Sequence, residues 1–105
     1  MDSGRILSMG YQCFHVSPKL IRKGSRICTR GCPIALAVRE VVKKVTVSVC
    51  PDWIRLRCSD GYSLYYRNEW AERMTAFDRG DGMEEFLFKI DLSAPFRLVK
   101  GLADG

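Results

Sequence analysis

A compact single domain of the α+β class, with a mainly antiparallel four-stranded sheet and two principal helices, is what three features of this chain predict. Apolar residues recur every three or four positions across residues 33–44; from Val45 the period drops to two; and Asp60-Gly61 stands between two runs rich in β-branched and aromatic side chains. No repeat or Pro-rich linker divides the sequence, so residues 1–105 read as one domain.

Residues 12–16 read as a short strand. Ser17-Pro18 then offers a capping hydroxyl followed by a proline at the first helical position, and Gly24 stops the turn carried by residues 19–23. Residues 25–32 are polar and basic and read as a loop. Pro33 opens a helix through about Lys44, with Ile34, Val38, Val41 and Val45 on one side and Glu40 placed to pair with Lys44. Its valines are weak helix formers, so burial must hold it.

Val45, Val47 and Val49 alternate with Thr46, Ser48 and Cys50, which is the pattern of a half-buried strand. Pro51-Asp52 breaks it, and residues 53–58 and 62–66 form a hairpin about Asp60-Gly61. A two-residue turn there sets Arg57 opposite Leu64 and Arg55 opposite Tyr66. Trp53, Arg55, Arg57, Tyr62, Leu64 and Tyr66 would then share one face, and a slip of one residue would exchange the partners. Asn68 caps a second helix carrying Trp70, Met74 and Phe77, ended by Arg79-Gly80-Asp81-Gly82. Phe86, Phe88, Ile90 and Leu92 alternate as a last strand, and residues 93–105 are expected to fray.

The chain has 105 residues, 47% of them hydrophobic, which suffices for a core without a metal or a disulfide. No apolar run approaches the roughly 18 residues of a membrane span, and the opening MDSGRILSMG lacks the hydrophobic run of a signal peptide. The expectation is an intracellular protein with no membrane partner, whose five cysteines are thiols or metal ligands. Charge is uneven: residues 1–57 carry eleven Lys or Arg against three Asp or Glu, and residues 58–105 carry six against nine. Two oppositely charged patches on one rigid body are the simplest expression of that asymmetry.

Cys28 and Cys32 have the spacing of a structural zinc half-site, and Cys50 and Cys58 complete a quartet of soft donors if the hairpin folds back over the loop. The competing assignment is ordinary packing of free thiols, with no cofactor; seven residues between Cys50 and Cys58 make a poor zinc knuckle. Cys32 also precedes a helix start, which favours a thiolate, but His15 is the only histidine base. There is no phosphate-binding glycine loop, metalloprotease His pair or nucleophile elbow, and Glu84-Glu85 point to opposite faces of a strand. No enzymatic role is expected.

Arg22, Lys23, Arg26 and Arg30 form the densest basic group, suited to phosphates without base-specific chemistry. Trp53, Arg55, Arg57, Tyr62 and Tyr66 add stacking rings beside guanidinium groups, a composition that suits single-stranded nucleic acid. The same positive surface also suits an acidic protein.

The run Cys28-Thr29-Arg30-Gly31-Cys32-Pro33-Ile34-Ala35-Leu36-Ala37-Val38-Arg39, preceded by residues 16–24, resembles small phage-encoded proteins with a Cys-Pro-x-Ala-Leu-Ala segment. Phe77-Asp78-Arg79-Gly80 followed by residues 86–92 is similar to the end of that pattern, so the resemblance spans about residues 14–92. It implies a phage accessory protein in the cytoplasm of an infected bacterium, and it brings no established activity. The function expected is non-enzymatic binding of a bacterial host or defence protein that is thereby blocked or redirected. The alternative is a small basic protein that binds nucleic acid, single strands in particular.

Overall fold

The computed structural model describes residues 1–101 and runs α1 (Ser3–Leu7), β1 (Tyr11–Val16), α2 (Pro18–Lys23), α3 (Pro33–Val41), β2 (Thr46–Val49), β3 (Trp53–Arg57), β4 (Tyr62–Arg67), α4 (Ala71–Asp78), β5 (Phe86–Asp91) and β6 (Arg97–Lys100). All strand pairings are antiparallel. β2, β3, β4 and β6 form a four-stranded sheet in that order, and β1 pairs with β5 as a separate two-stranded sheet. The α+β class and the four-stranded antiparallel sheet therefore stand as read from the sequence.

The local chemistry follows the expected punctuation. Ser17 caps α2 by accepting the Leu20 N–H, with Pro18 at its start, and Pro33 opens α3. Asn68 works two residues before the cap position, which is Trp70: its side chain accepts the Trp70 N–H and donates to the Cys50 carbonyl, tying the start of α4 to the β2–β3 turn. α1 is an element the sequence did not announce. Asp2 caps it, and Ser3 donates through both its N–H and its hydroxyl to Asp60 at the hairpin tip, holding that carboxyl below the usual Asp range.

Two boundaries differ from expectation. α3 ends at Val41, because Val42 is extended and Lys44 sits at φ 59, so Glu40 and Lys44 do not share a helix; successive valines give the last turn little intrinsic support. The segment expected to fray from residue 93 instead yields β6, which completes the open edge of β4. Residues 102–105 of that segment lie outside the described residues.

The inner face of the four-stranded sheet carries Val47, Val49, Ile54, Leu56, Leu64 and Tyr66, all buried. α3 closes over it with Ile34, Ala37 and Val38, while Phe14 and Phe88 stack at 5.1 Å from the two-stranded sheet. One continuous core results, reaching from Ile6 of α1 to Leu92 after β5.

The hairpin register is the correction that matters for function. Arg57 pairs with Ser63, Leu56 with Leu64, Arg55 with Tyr65, Ile54 with Tyr66 and Trp53 with Arg67. The turn has three residues, Ser59-Asp60-Gly61, with the Cys58 N–H donating to the Tyr62 carbonyl and Gly61 at φ 89. A type I turn followed by a glycine in the left-handed region is a common hairpin closure. The extra residue moves Tyr62, Leu64 and Tyr66 off the arginine face and brings Ser63, Tyr65 and Arg67 onto it.

Candidate functional site

The outer face of the four-stranded sheet is built from alternating residues of four strands. Thr46 and Ser48 come from β2; Trp53, Arg55 and Arg57 from β3; Ser63, Tyr65 and Arg67 from β4; Arg97 and Val99 from β6. Phe96, just before β6, joins through its N–H bond to the Tyr65 carbonyl. None of these four strands contains an Asp or a Glu. The face is therefore positive whatever the protonation of the remaining surface.

Three rings cross it in a row. Trp53 and Tyr65 meet edge to face with centroids 5.1 Å apart, and Tyr65 lies 6.3 Å from Phe96. Each ring carries a guanidinium: Arg55 over Trp53 at 5.7 Å, Arg97 over Tyr65 at 5.7 Å and Arg67 over Phe96 at 5.5 Å. Small residues make this possible. Ser48 and Ser63 are buried beneath the long side chains, and Arg55 Nη2 donates to Ser48 Oγ at 3.5 Å. The neighbouring Arg55 Nε is buried without a hydrogen-bond partner among the described residues, an unmet donor on a surface otherwise well supplied with donors.

The expected macromolecule-binding residues separate into three groups. Trp53, Arg55 and Arg57 are on this face. Tyr62 and Tyr66 are not: Tyr62 lies beneath Lys100 on the opposite face, and Tyr66 is only 3% exposed, its hydroxyl donating to the Leu92 carbonyl and its phenol pKa raised by burial. Arg22, Lys23, Arg26 and Arg30 are exposed on α2 and the loop after it, beside the Val49 edge of β2, where the Val49 N–H donates to the Thr29 carbonyl. That loop is held at its other side by Asp78, which accepts the Ile27 N–H at 2.8 Å.

Tyr65, Arg67, Phe96 and Arg97 were missed. The signal for the first two was a glycine placed to close a three-residue turn; residues 96–100 carry no comparable signal, since Leu98 and Val99 break any alternation. The charge asymmetry also resolves differently from two opposed patches. β3 from the basic half lies between β2 and β4, and β6 from the acidic half adds Arg97 to the same surface.

The cysteines do not converge. Cys50 and Cys58 stand beyond opposite ends of the five-residue β3, which at about 3.3 Å per residue sets them about 15 Å apart. Cys28 is exposed, Cys32 is buried at the start of α3, and among the described residues no three of His, Cys, Asp and Glu are grouped to hold a metal. The quartet Cys28, Cys32, Cys50 and Cys58 is thus not gathered at one point in this fold. Burial raises the Cys32 thiol pKa against the lowering effect of the Ala35 and Ile34 N–H groups, and burial pushes Cys58 up to about 11. His15 is engaged with Glu85 on the two-stranded sheet and does not serve Cys32.

No described helix is long and apolar enough to cross a membrane. No protein-family model, curated protein or solved structure matches the chain.

Proposed function

We propose that the protein is a non-enzymatic binder of single-stranded nucleic acid, with the outer face of the four-stranded sheet as its contact surface. The observation that carries this is the row Trp53, Tyr65 and Phe96 interleaved with Arg55, Arg57, Arg67 and Arg97 on strands that contain no carboxylate. Bases present a π-face to such rings whatever their identity, and guanidinium groups beside them meet the backbone phosphates. An open sheet face suits an unpaired strand, whose bases are free to splay, better than a stacked duplex.

The setting implied by the phage resemblance is the cytoplasm of an infected bacterium. The test is anisotropy of a labelled strand of about eight nucleotides, a length within the range one small domain covers, across a salt series. With the four arginines neutralising phosphates, log affinity falls against log salt with a slope of about −3. Arg57→Ala reduces that slope by about 0.7. A flat salt dependence, or equal binding by a duplex of the same sequence, overturns the proposal.

A second reading, binding of a bacterial host or defence protein, has its own observation. Ile27 is 83% exposed at the tip of the basic loop and holds φ 55, a left-handed conformation that β-branched residues rarely adopt. An apolar side chain displayed at such a cost, between Arg26 and Arg30, is a natural anchor for a protein with an acidic rim. Ile27→Asp separates the two readings. It leaves strand binding intact and removes nuclease-resistant capture of a host protein; capture that survives the substitution overturns the second reading.

A further inference from the structure

Beyond the end of the aromatic row lies a cleft of about 360 Å³ between the two sheets. Tyr11 and Phe96 stand on it as exposed rings, 73% and 48% accessible. Arg67 and Lys89 bring donors to the cleft, and Glu69 and Asp91 bring acceptors. Arg67 and Phe96 belong to both surfaces: Arg67 lies opposite Trp53 in the sheet register and its guanidinium covers the Phe96 ring. A strand lying along the sheet therefore runs directly into the cleft.

Its chemistry differs from that of the sheet. The outer face is positive and stacking alone, which discriminates weakly among bases. The cleft mixes carboxylates with cations, and carboxylates are a liability toward phosphate unless a donor edge meets them. Asp91 Oδ1 is already occupied by the N–H and hydroxyl of Ser93, which fixes the carboxylate and leaves Oδ2 for another donor. Glu69, exposed at the start of the α4 segment, makes no ion pair among the described residues.

We propose that this cleft receives one guanine base of the bound strand. Guanine offers two adjacent donors, N1–H and the N2 amine, to a single carboxylate, and two acceptors, O6 and N7, to a guanidinium or ammonium group. No other base presents a paired donor edge opposite a paired acceptor edge. Glu69 or Asp91 takes the donor edge, Arg67 or Lys89 the acceptor edge, and Tyr11 and Phe96 supply the stacking surface. The sheet thus supplies affinity and the cleft supplies base preference.

This inference rests on the proposed function, and one experiment distinguishes the failure of either. Anisotropy compares an oligothymidine strand with strands of the same length, about eight nucleotides, carrying one central guanine or one central adenine, as DNA and as RNA. The guanine strand is expected to bind about tenfold more tightly than the other two, a discrimination typical of one good bidentate base contact. In Glu69→Gln with Asp91→Asn the ratio of guanine to thymine affinity falls to about one. Asn at 91 retains the Oδ1 acceptor for Ser93, so the turn survives; of the single changes Glu69→Gln and Asp91→Asn, the one at the carboxylate that holds the donor edge lowers the ratio, and a ratio lowered by neither overturns the cleft assignment. Binding of all strands with equal affinity, or a guanine preference retained in the double variant, overturns the cleft assignment alone. Absence of binding by every strand overturns both.

Discussion

Replacing Val38 with Asp abolishes the folded state. Val38 is 0% exposed on the face of α3 that packs against β1 and β2, with Ile34, Ala35 and Ala37 buried on the same helix. Among the described residues the core offers this position no cation, and the ion pairs present are on the surface. An unpaired carboxylate there costs several kcal/mol after relaxation, in addition to roughly 1.5 kcal/mol for the lost apolar burial. A domain of this size holds only about 5–15 kcal/mol in total. Circular dichroism at 25 °C is expected to show a largely unfolded or aggregated chain. Val38→Ala, which removes two carbons and leaves a small cavity, lowers stability by about 2 kcal/mol in urea unfolding. A cooperative Val38→Asp transition close to the native midpoint would mean that α3 does not seal the core.

Removing the rings of the sheet face has the second large effect. Trp53→Ala and Tyr65→Ala each take away a stacking surface of about 1–3 kcal/mol per base, so each weakens single-strand binding by roughly 5- to 150-fold. Trp53→Ala also frees Arg55 from the ring beneath it, so its loss includes positioning of a phosphate contact. Tyr66→Phe is the informative contrast. It loses the hydrogen bond from its hydroxyl to the Leu92 carbonyl, which costs about 1 kcal/mol of stability, while the face proposed for binding is unchanged. Equal losses from Tyr65→Ala and Tyr66→Phe at matched folded concentration would show that the hairpin reads nucleic acid in the other register.

That contrast turns on what could be read from residues alone. The helical and two-residue periods located α3, β2 and β5 because each buries one face, and burial writes itself into the order of apolar and polar residues. The hairpin was legible as a hairpin, but its register depended on one residue of turn length. Ser59-Asp60-Gly61 contains the Asp-Gly pair of a two-residue turn, and only the backbone bonds closing it reveal that Ser59 also belongs to the loop. Both faces of β4 carry tyrosines, so composition could not choose between Tyr65 and Tyr66.

β6 was illegible for another reason. Residues 97–100 hold no strongly alternating pattern, and their strand conformation comes from an edge that β4 presents at long range. The cysteines show the opposite case, since spacing in sequence left a four-thiol cluster open beside ordinary packing, and only the fold shows that β3 holds Cys50 and Cys58 apart. The aromatic row was therefore half visible, as Trp53 with its arginines, and half assembled by tertiary pairing.

β6 has one more consequence. It is one of the two margins of its sheet, β2 being the other, and an unpaired margin is a template on which a second molecule can add a strand. Here the margin is only four residues long and carries Arg97 and Lys100, so two copies approaching edge to edge bring cations against cations. Arg97, on the face proposed for contact, thus also opposes the fusion of neighbouring molecules into an extended sheet, a repulsion that weakens as ionic strength rises.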